Sequence, residues 1–183
     1  MDRQSDLVVR AATPADADTL GEIHVRTWQV GYAGILPAEH LAAMSVERRR
    51  EGCRTLLTDP AGPRERPDRP PPDNYVAERA GRIVGFTTVG PSRDPDAGEA
   101  SGEVYSIYVA PAAWGTGAGR ALMAQGLDRL RERGYAAATL WVLEGNMRAS
   151  RFYERAGFAP DGCRAPYSRE GWTRDELRYR RDL

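Results

Sequence analysis

Three glycines at alternate positions, Gly115, Gly117 and Gly119, stand between a strand-like run and a helix-like run. Glycine lets backbone approach a ligand closely, and a helix start leaves N–H groups unpaired at its positive end. An anion belongs at such a turn, and a phosphate suits it best. Spacing tests the known phosphate loops. A nucleoside-triphosphate loop needs Gly-Lys-Ser/Thr entering the helix, and the chain has no lysine. A dinucleotide loop needs G-x-G-x-x-G directly after the strand and an acid roughly 20 residues further on. Glu144 is available as that acid, which keeps an oxidoreductase as a distant alternative. Against it, Arg120 stands where the third glycine should be, and residues 110–114 separate strand from turn.

A second motif follows about 30 residues later, where Asn146, Ala149, Tyr153, Gly157 and Phe158 fit N-x-x-A-x-x-x-Y-x-x-x-G-F. With the run 103–120 it resembles the two coenzyme segments of the GNAT acetyltransferase superfamily, whose loop signature is Q/R-x-x-G-x-G/A. The resemblance implies transfer of an acetyl group from acetyl-CoA, as cosubstrate, to a primary amine. It implies that the diphosphate lies on Trp114, Gly115, Thr116, Gly117, Ala118, Gly119 and Arg120. The pantetheine arm would then run along the backbone of Ile107, Tyr108 and Val109 and beside Asn146 and Tyr153. Trp114 departs from the pattern, because it occupies the Gln/Arg position. One side-chain contact is lost there, while the backbone donors of the turn do not depend on it.

That reaction makes two demands. An alkyl amine with a pKa of about 10 must shed a proton before it attacks, a task of roughly 4 kcal/mol at neutral pH. Glu103, eleven positions before Trp114, matches the place where several GNAT enzymes carry a catalytic glutamate, acting directly or through water. The competing view is an ordinary solvent-side glutamate at a strand end, and His24 is a weaker rival base. The departing thiolate, of pKa about 8.5, needs a donor that keeps its proton, and a tyrosine of pKa about 10 fits. Tyr153 is that candidate; the alternative is core packing with Ala149, Phe152 and Ala156. Trp28 and Tyr32 are candidates for walling the acceptor cleft. Asp94, Asp96 and Glu99 would attract a cationic amine, and a solvated loop explains them equally well.

The elements that must position these residues follow from pattern. Residues 7–10 form a short strand, then Thr13-Pro14 opens a helix with Ala17, Leu20, Ile23 and Thr27 on one face. His24, Trp28 and Tyr32 form an adjacent stripe. Helices follow at 37–43 and 46–57, the second behind Ser45 as cap, with a solvated face over 47–51. Residues 58–74, rich in Pro, Arg and Asp, suggest a mobile loop. A hairpin over 75–89 turns at Ala80-Gly81, and a polar loop is expected at 90–102. Then come a strand at 103–109 and a helix at 117–133, with Met123, Leu127 and Leu130 at helical spacing. A strand at 137–143, a helix at 146–156 and closing strands at 158–168 and 175–181 complete the chain. The order implies an α/β (α+β) fold, a mixed, mostly antiparallel twisted sheet of six to seven strands with helices on both faces. It also follows the GNAT element order.

At 183 residues the chain suits a single N-acetyltransferase domain over 1–183. Lys+Arg 26 balances Asp+Glu 26, which gives no electrostatic case for nucleic acid or membrane as partner. Cys53 and Cys163 show no metal spacing and no disulfide framework, so no metal is expected and both should be small buried hydrophobes. The start lacks an apolar signal core, and the expected location is cytoplasmic. The acceptor would be a small-molecule amine or a peptide or protein N-terminus, and the closing strands are suited to a homodimer. A non-catalytic acyl-CoA-binding sensor or interaction domain on the same scaffold is the alternative from another class.

Overall fold

The computed structural model describes residues 7–59, 70–169 and 171–183. Residues 60–69, most of the expected loop, and Glu170 lie outside the described residues. The first strand, β1 (Leu7–Ala11), leads into a 3-10 turn at Pro14–Asp16 and then α1 (Ala17–Gly31). The Thr13 N–H donates to Asp16 Oδ2 at 2.7 Å, and Asp16 is also clamped by Arg10. Two helices follow, α2 (Ala38–Ala42) and α3 (Val46–Thr58); Ser45 Oγ accepts from the Arg48 N–H and caps the second. The hairpin β2 (Asp73–Arg79) and β3 (Arg82–Pro91) turns at Ala80 and Gly81, with φ of 48° and 72°. Positive φ at both central residues matches the right-handed twist of the strands.

Next come β4 (Ser101–Val109), α4 (Ala118–Glu132), β5 (Ala137–Leu143), α5 (Met147–Arg155), β6 (Ala159–Arg169) and β7 (Trp172–Asp182). The expected 90–102 loop is shorter than its Gly and Pro content suggests, because Gly90 and Pro91 pair with Glu103 and Gly102. Asp73 and Asn74, expected in the mobile loop, belong to β2, and Asn74 O accepts from the Ala12 N–H. Cross-strand partners override breaker residues at both places. No helix is long and apolar enough to cross a membrane among the described residues.

The sheet runs β1-β2-β3-β4-β5-β7-β6, and β4–β5 is its one parallel pair. That pairing covers only Ser101–Ala137, Gly102–Ala138 and Glu103–Thr139. Just beyond it the β3–β4 register skips Tyr105, which is therefore the extra residue of a bulge in β4. A bulge sharpens local twist, and here it turns β4 away from β5. One face packs on α4 and α5 through Val89, Val104, Met123, Leu127, Leu130 and Leu140. The other packs on α1 and α3 through Ala17, Leu20, Ile23, Cys53, Val76 and Phe86. A smaller cluster of Trp28, Leu36, Leu41 and Leu143 joins the end of α1 to the β6–β7 hairpin, where Tyr167 and Trp172 pack on it.

Two positions in this frame have measurable consequences. A Cβ on Gly85 would lie 2.7 Å from the Tyr108 carbonyl oxygen and 3.0 Å from Val109 Cγ2. Gly85→Ala is expected to cost about 2 kcal/mol by overpacking, read as a lower urea midpoint at unchanged slope. His24 is buried against Trp28 and Tyr108, and burial, aided by nearby Arg49, depresses its pKa to about 3. The unfolded chain therefore takes up a proton below about pH 6.5 that the folded chain refuses, so stability is lost as pH falls. Between pH 7 and pH 5 the wild type should lose about 2 kcal/mol more than His24→Leu, measured by urea unfolding at both values.

Candidate active site

Where β4 parts from β5, one edge of its backbone is open. The Ala110 N–H donates to Val84 O across the β3 side at 2.8 Å. Hydrogen-bond direction alternates along an antiparallel strand, so Tyr108 is committed to β3 while Ile107 and Val109 turn their groups toward the gap. Of the three residues expected to lend backbone, two face the opening. The chain then makes a 3-10 turn at Pro111–Ala113 and reaches Gly115 and Gly117, with φ of 76° and 92°. Gly117 is the N-cap of α4 and supplies no side-chain bond, which leaves the N–H groups of Ala118, Gly119 and Arg120 without a capping side chain. Nothing lies within 4 Å of where a Cβ on Gly115 would stand. Thr116 braces the turn, donating its hydroxyl to Ala113 O at 2.7 Å and accepting from Arg79 at 2.8 Å. A strand edge running into an uncapped, glycine-lined helix start fits an extended amide-bearing arm that ends in a diphosphate.

Trp114 is more than a missing contact. Its indole N–H donates to Val109 O at 2.6 Å, and the Thr27 hydroxyl donates to the same oxygen at 3.1 Å. The ring edge reaches Gly31, and the Arg148 guanidinium lies over the ring face at 3.2 Å. Trp114 thus ties the end of β4 to α1 and α5. Nothing in the sequence pattern carried that signal, since Arg148 and Trp114 are 34 positions apart.

Asn146 is the N-cap of α5 rather than part of its body, and its Oδ1 accepts from the Ala149 N–H at 3.1 Å. Its amide lies against the Tyr32 hydroxyl. Tyr153 packs edge-on to Phe152 and Phe158 and near Tyr179. Packing and chemistry therefore do not compete at this residue, because its hydroxyl end is coupled electrostatically to Tyr32 and Tyr108. Burial raises the Tyr153 pKa, and the phenol keeps its proton across the physiological range.

Glu103 is 1% exposed, which removes the solvent-side reading. Its carboxylate accepts the Arg93 backbone N–H at 2.8 Å and the Arg93 Nε at 3.2 Å. The Arg93 side chain, 63% exposed, also covers the Tyr105 ring. Val104 packs on the α4 face, so Glu103 points to the α1 face, whereas Tyr153 approaches with the helices of the opposite face. The gap is where those two sides meet. Glu103 stands four strand positions before Ile107, roughly 13 Å along β4, so a proton path between them requires water. His24, neutral and buried, is unsuited to serve as base at neutral pH.

Trp28 is largely core, its indole lying against the Tyr108 hydroxyl, and Tyr32 packs 4.7 Å from it. Asp94 and Asp96 are not free to attract an amine. Asp94 accepts from the Trp141 indole at 2.8 Å, and both acids bind Arg178. Cys163 is half-exposed rather than buried and accepts from Arg178, while Cys53 is buried as expected. Glu144 forms an exposed pair with Arg164. The sequence reading missed Glu176, a half-buried carboxyl whose pKa is raised by burial, facing Arg93, Glu103 and Asp94. It also used only the backbone of Tyr108, whose ring packs on His24 and Phe86.

The model of the GNAT acetyltransferase family matches residues 44–158. The uncharacterized N-acetyltransferase YuaI of Bacillus subtilis is 28% identical over 141 residues, covering 76% of this chain and 73% of that protein. A mycothiol acetyltransferase of a Parafrankia species is 34% identical over 178 residues, covering 85% of this chain but only 54% of the relative. The PaiA N-acetyltransferase of Thermoplasma acidophilum, solved with coenzyme A, has a TM-score of 0.73 at 17% identity, covering 97% of this chain and 99% of that one. A ribosomal-protein-alanine N-acetyltransferase of Brucella melitensis gives 0.70 at 27% identity, covering 96% and 99%. With most of its length under the family model, the chain belongs to the GNAT acetyltransferase family.

Proposed function

We propose that the protein is an N-acetyltransferase that moves an acetyl group from acetyl-CoA to a primary amine by direct attack in a ternary complex. The observation that carries this reading is the open edge of β4 running within one short turn into the uncapped start of α4. When bound, the coenzyme supplies an activated thioester. The N–H groups of Ala118, Gly119 and Arg120 hold its diphosphate, and the outward backbone groups of Ile107 with the N–H of Val109 orient its arm. Asn146 fixes the start of α5 and borders the same arm. Tyr32 and Trp28 wall the acceptor side, and the acceptor is a small amine or a peptide N-terminus.

Within this arrangement Tyr153 donates the proton that the departing sulfur takes up. Burial suits it to the task, since the phenol stays protonated until a stronger base develops beside it. Glu103 draws the proton from the amine through intervening water, while Arg93 orients its carboxylate. A thiol-release assay over small amines and peptide N-termini, joined to calorimetry with acetyl-CoA, tests the assignment. Coenzyme binding without thiol release across the whole panel would instead support a sensor domain.

Two variants probe the roles separately. Tyr153→Phe should lower kcat by about a hundredfold or more while the Kd for coenzyme A stays within about threefold of wild type. Equal turnover would remove Tyr153 from the chemistry. Glu103→Gln should lower kcat/KM at neutral pH and abolish the acidic limb of the pH–rate profile. A profile of unchanged shape would rule the glutamate out as base, and a thermal melt separates this from loss of the Arg93 pair.

A further inference from the structure

The stack of Arg148 on Trp114 is held from both sides. Trp114 is pinned by its 2.6 Å bond to Val109 O. The helix α5 is pinned to the first turn of α4 through Phe152, whose ring lies 3.4 Å from the place a Cβ on Gly119 would take. Arg148 and Phe152 are four positions apart and so share one face of α5. The face that touches Gly119 therefore delivers Arg148 to the head of the phosphate turn, where its guanidinium sits 3.2 Å over the indole.

Arg148 is one of several arginines, Arg120 of the same turn among them, that pair with no carboxylate among the described residues. Arg10, Arg50, Arg54, Arg93, Arg129, Arg164 and Arg178 all bind carboxylates. Arg148 binds none among the described residues, and partial burial alone acts on it, lowering its pKa. Arg79 at the same turn is engaged with the Thr116 carbonyl. A cation carried on the α5 face that meets the first turn of α4 is disfavoured by that turn's positive end unless an anion lies between them. A guanidinium fork also matches two phosphate oxygens better than an ammonium does.

We propose that Arg148, seated on Trp114, is the side chain that pairs with the coenzyme's diphosphate. It supplies from α5 the contact that tryptophan at the Gln/Arg position removes from the loop itself. The inference rests on the coenzyme reading above and adds the residue that reads the charge.

Calorimetry with coenzyme A and with 3′-dephospho-coenzyme A tests it, since both carry the diphosphate and only the first carries the ribose phosphate. Arg148→Ala should weaken both by about ten- to hundredfold and flatten the salt dependence of Kd. Arg148→Lys should recover only part of the loss. Trp114→Leu, which removes the platform, should weaken both in the same direction, and circular dichroism melts verify that each variant is folded. The assignment is overturned if Arg148→Ala binds both nucleotides as tightly as wild type. It is also overturned if only coenzyme A is weakened, because the guanidinium would then read the ribose phosphate. A wild-type chain that binds neither nucleotide refutes the coenzyme reading itself, and this assignment with it.

Discussion

The parting of β4 from β5 after three residue pairs is the constraint on which the other features depend. A parallel pair joined through a helix would ordinarily continue its ladder, and each backbone group left bare in a buried gap costs about 1–3 kcal/mol. The bulge at Tyr105 forces the separation, and the protein offsets part of its cost locally. Val109 O is satisfied twice, by the Trp114 indole and the Thr27 hydroxyl. Ile107 keeps its outward groups for whatever enters. An opening made this way is lined by backbone dipoles that need no rearrangement to bind amides, which is why a strand edge can act as a binding surface.

The charges around the opening are mostly spoken for. Arg178 gathers Asp94, Asp96 and Asp161, and Arg93 gathers Glu103. Such pairs are weak evidence for stability because desolvation offsets their attraction. Their structural effect is clearer. They lock the 92–100 loop to β7 and the start of β4. Glu176 and Arg148, like Arg49 and Arg120, enter no carboxylate–arginine pair among the described residues. Glu176 lies on the α1 face of the sheet and Arg148 at the glycine turn.

Between these two poles the site is aromatic and uncharged. Burial raises the pKa values of Tyr32, Tyr108 and Tyr153 and lowers that of His24. Desolvation thus pushes all four toward their neutral forms. Uncharged reacting groups are better accommodated in such surroundings than in a field of fixed charges.

Local chemistry decided much of this protein, and sequence displays local chemistry directly. The glycines of the 115–119 turn, the Ser45 cap, the Ala80-Gly81 turn and the apolar face of α4 depend on residues within a turn of one another. All were legible in the order of amino acids, as was the family through its two motifs. The lengths of β2 and β3 were not, because Asn74, Gly90 and Pro91 take strand conformation only when a partner strand presents itself. Nor were the Arg178 network, the burial of Glu103 or the seat of Arg148 on Trp114. Those join residues 10 to 84 positions apart, and no periodicity marks which distant side chains will meet. The chain alone specified the glycine turn; only packing decided which distant side chains stand beside it.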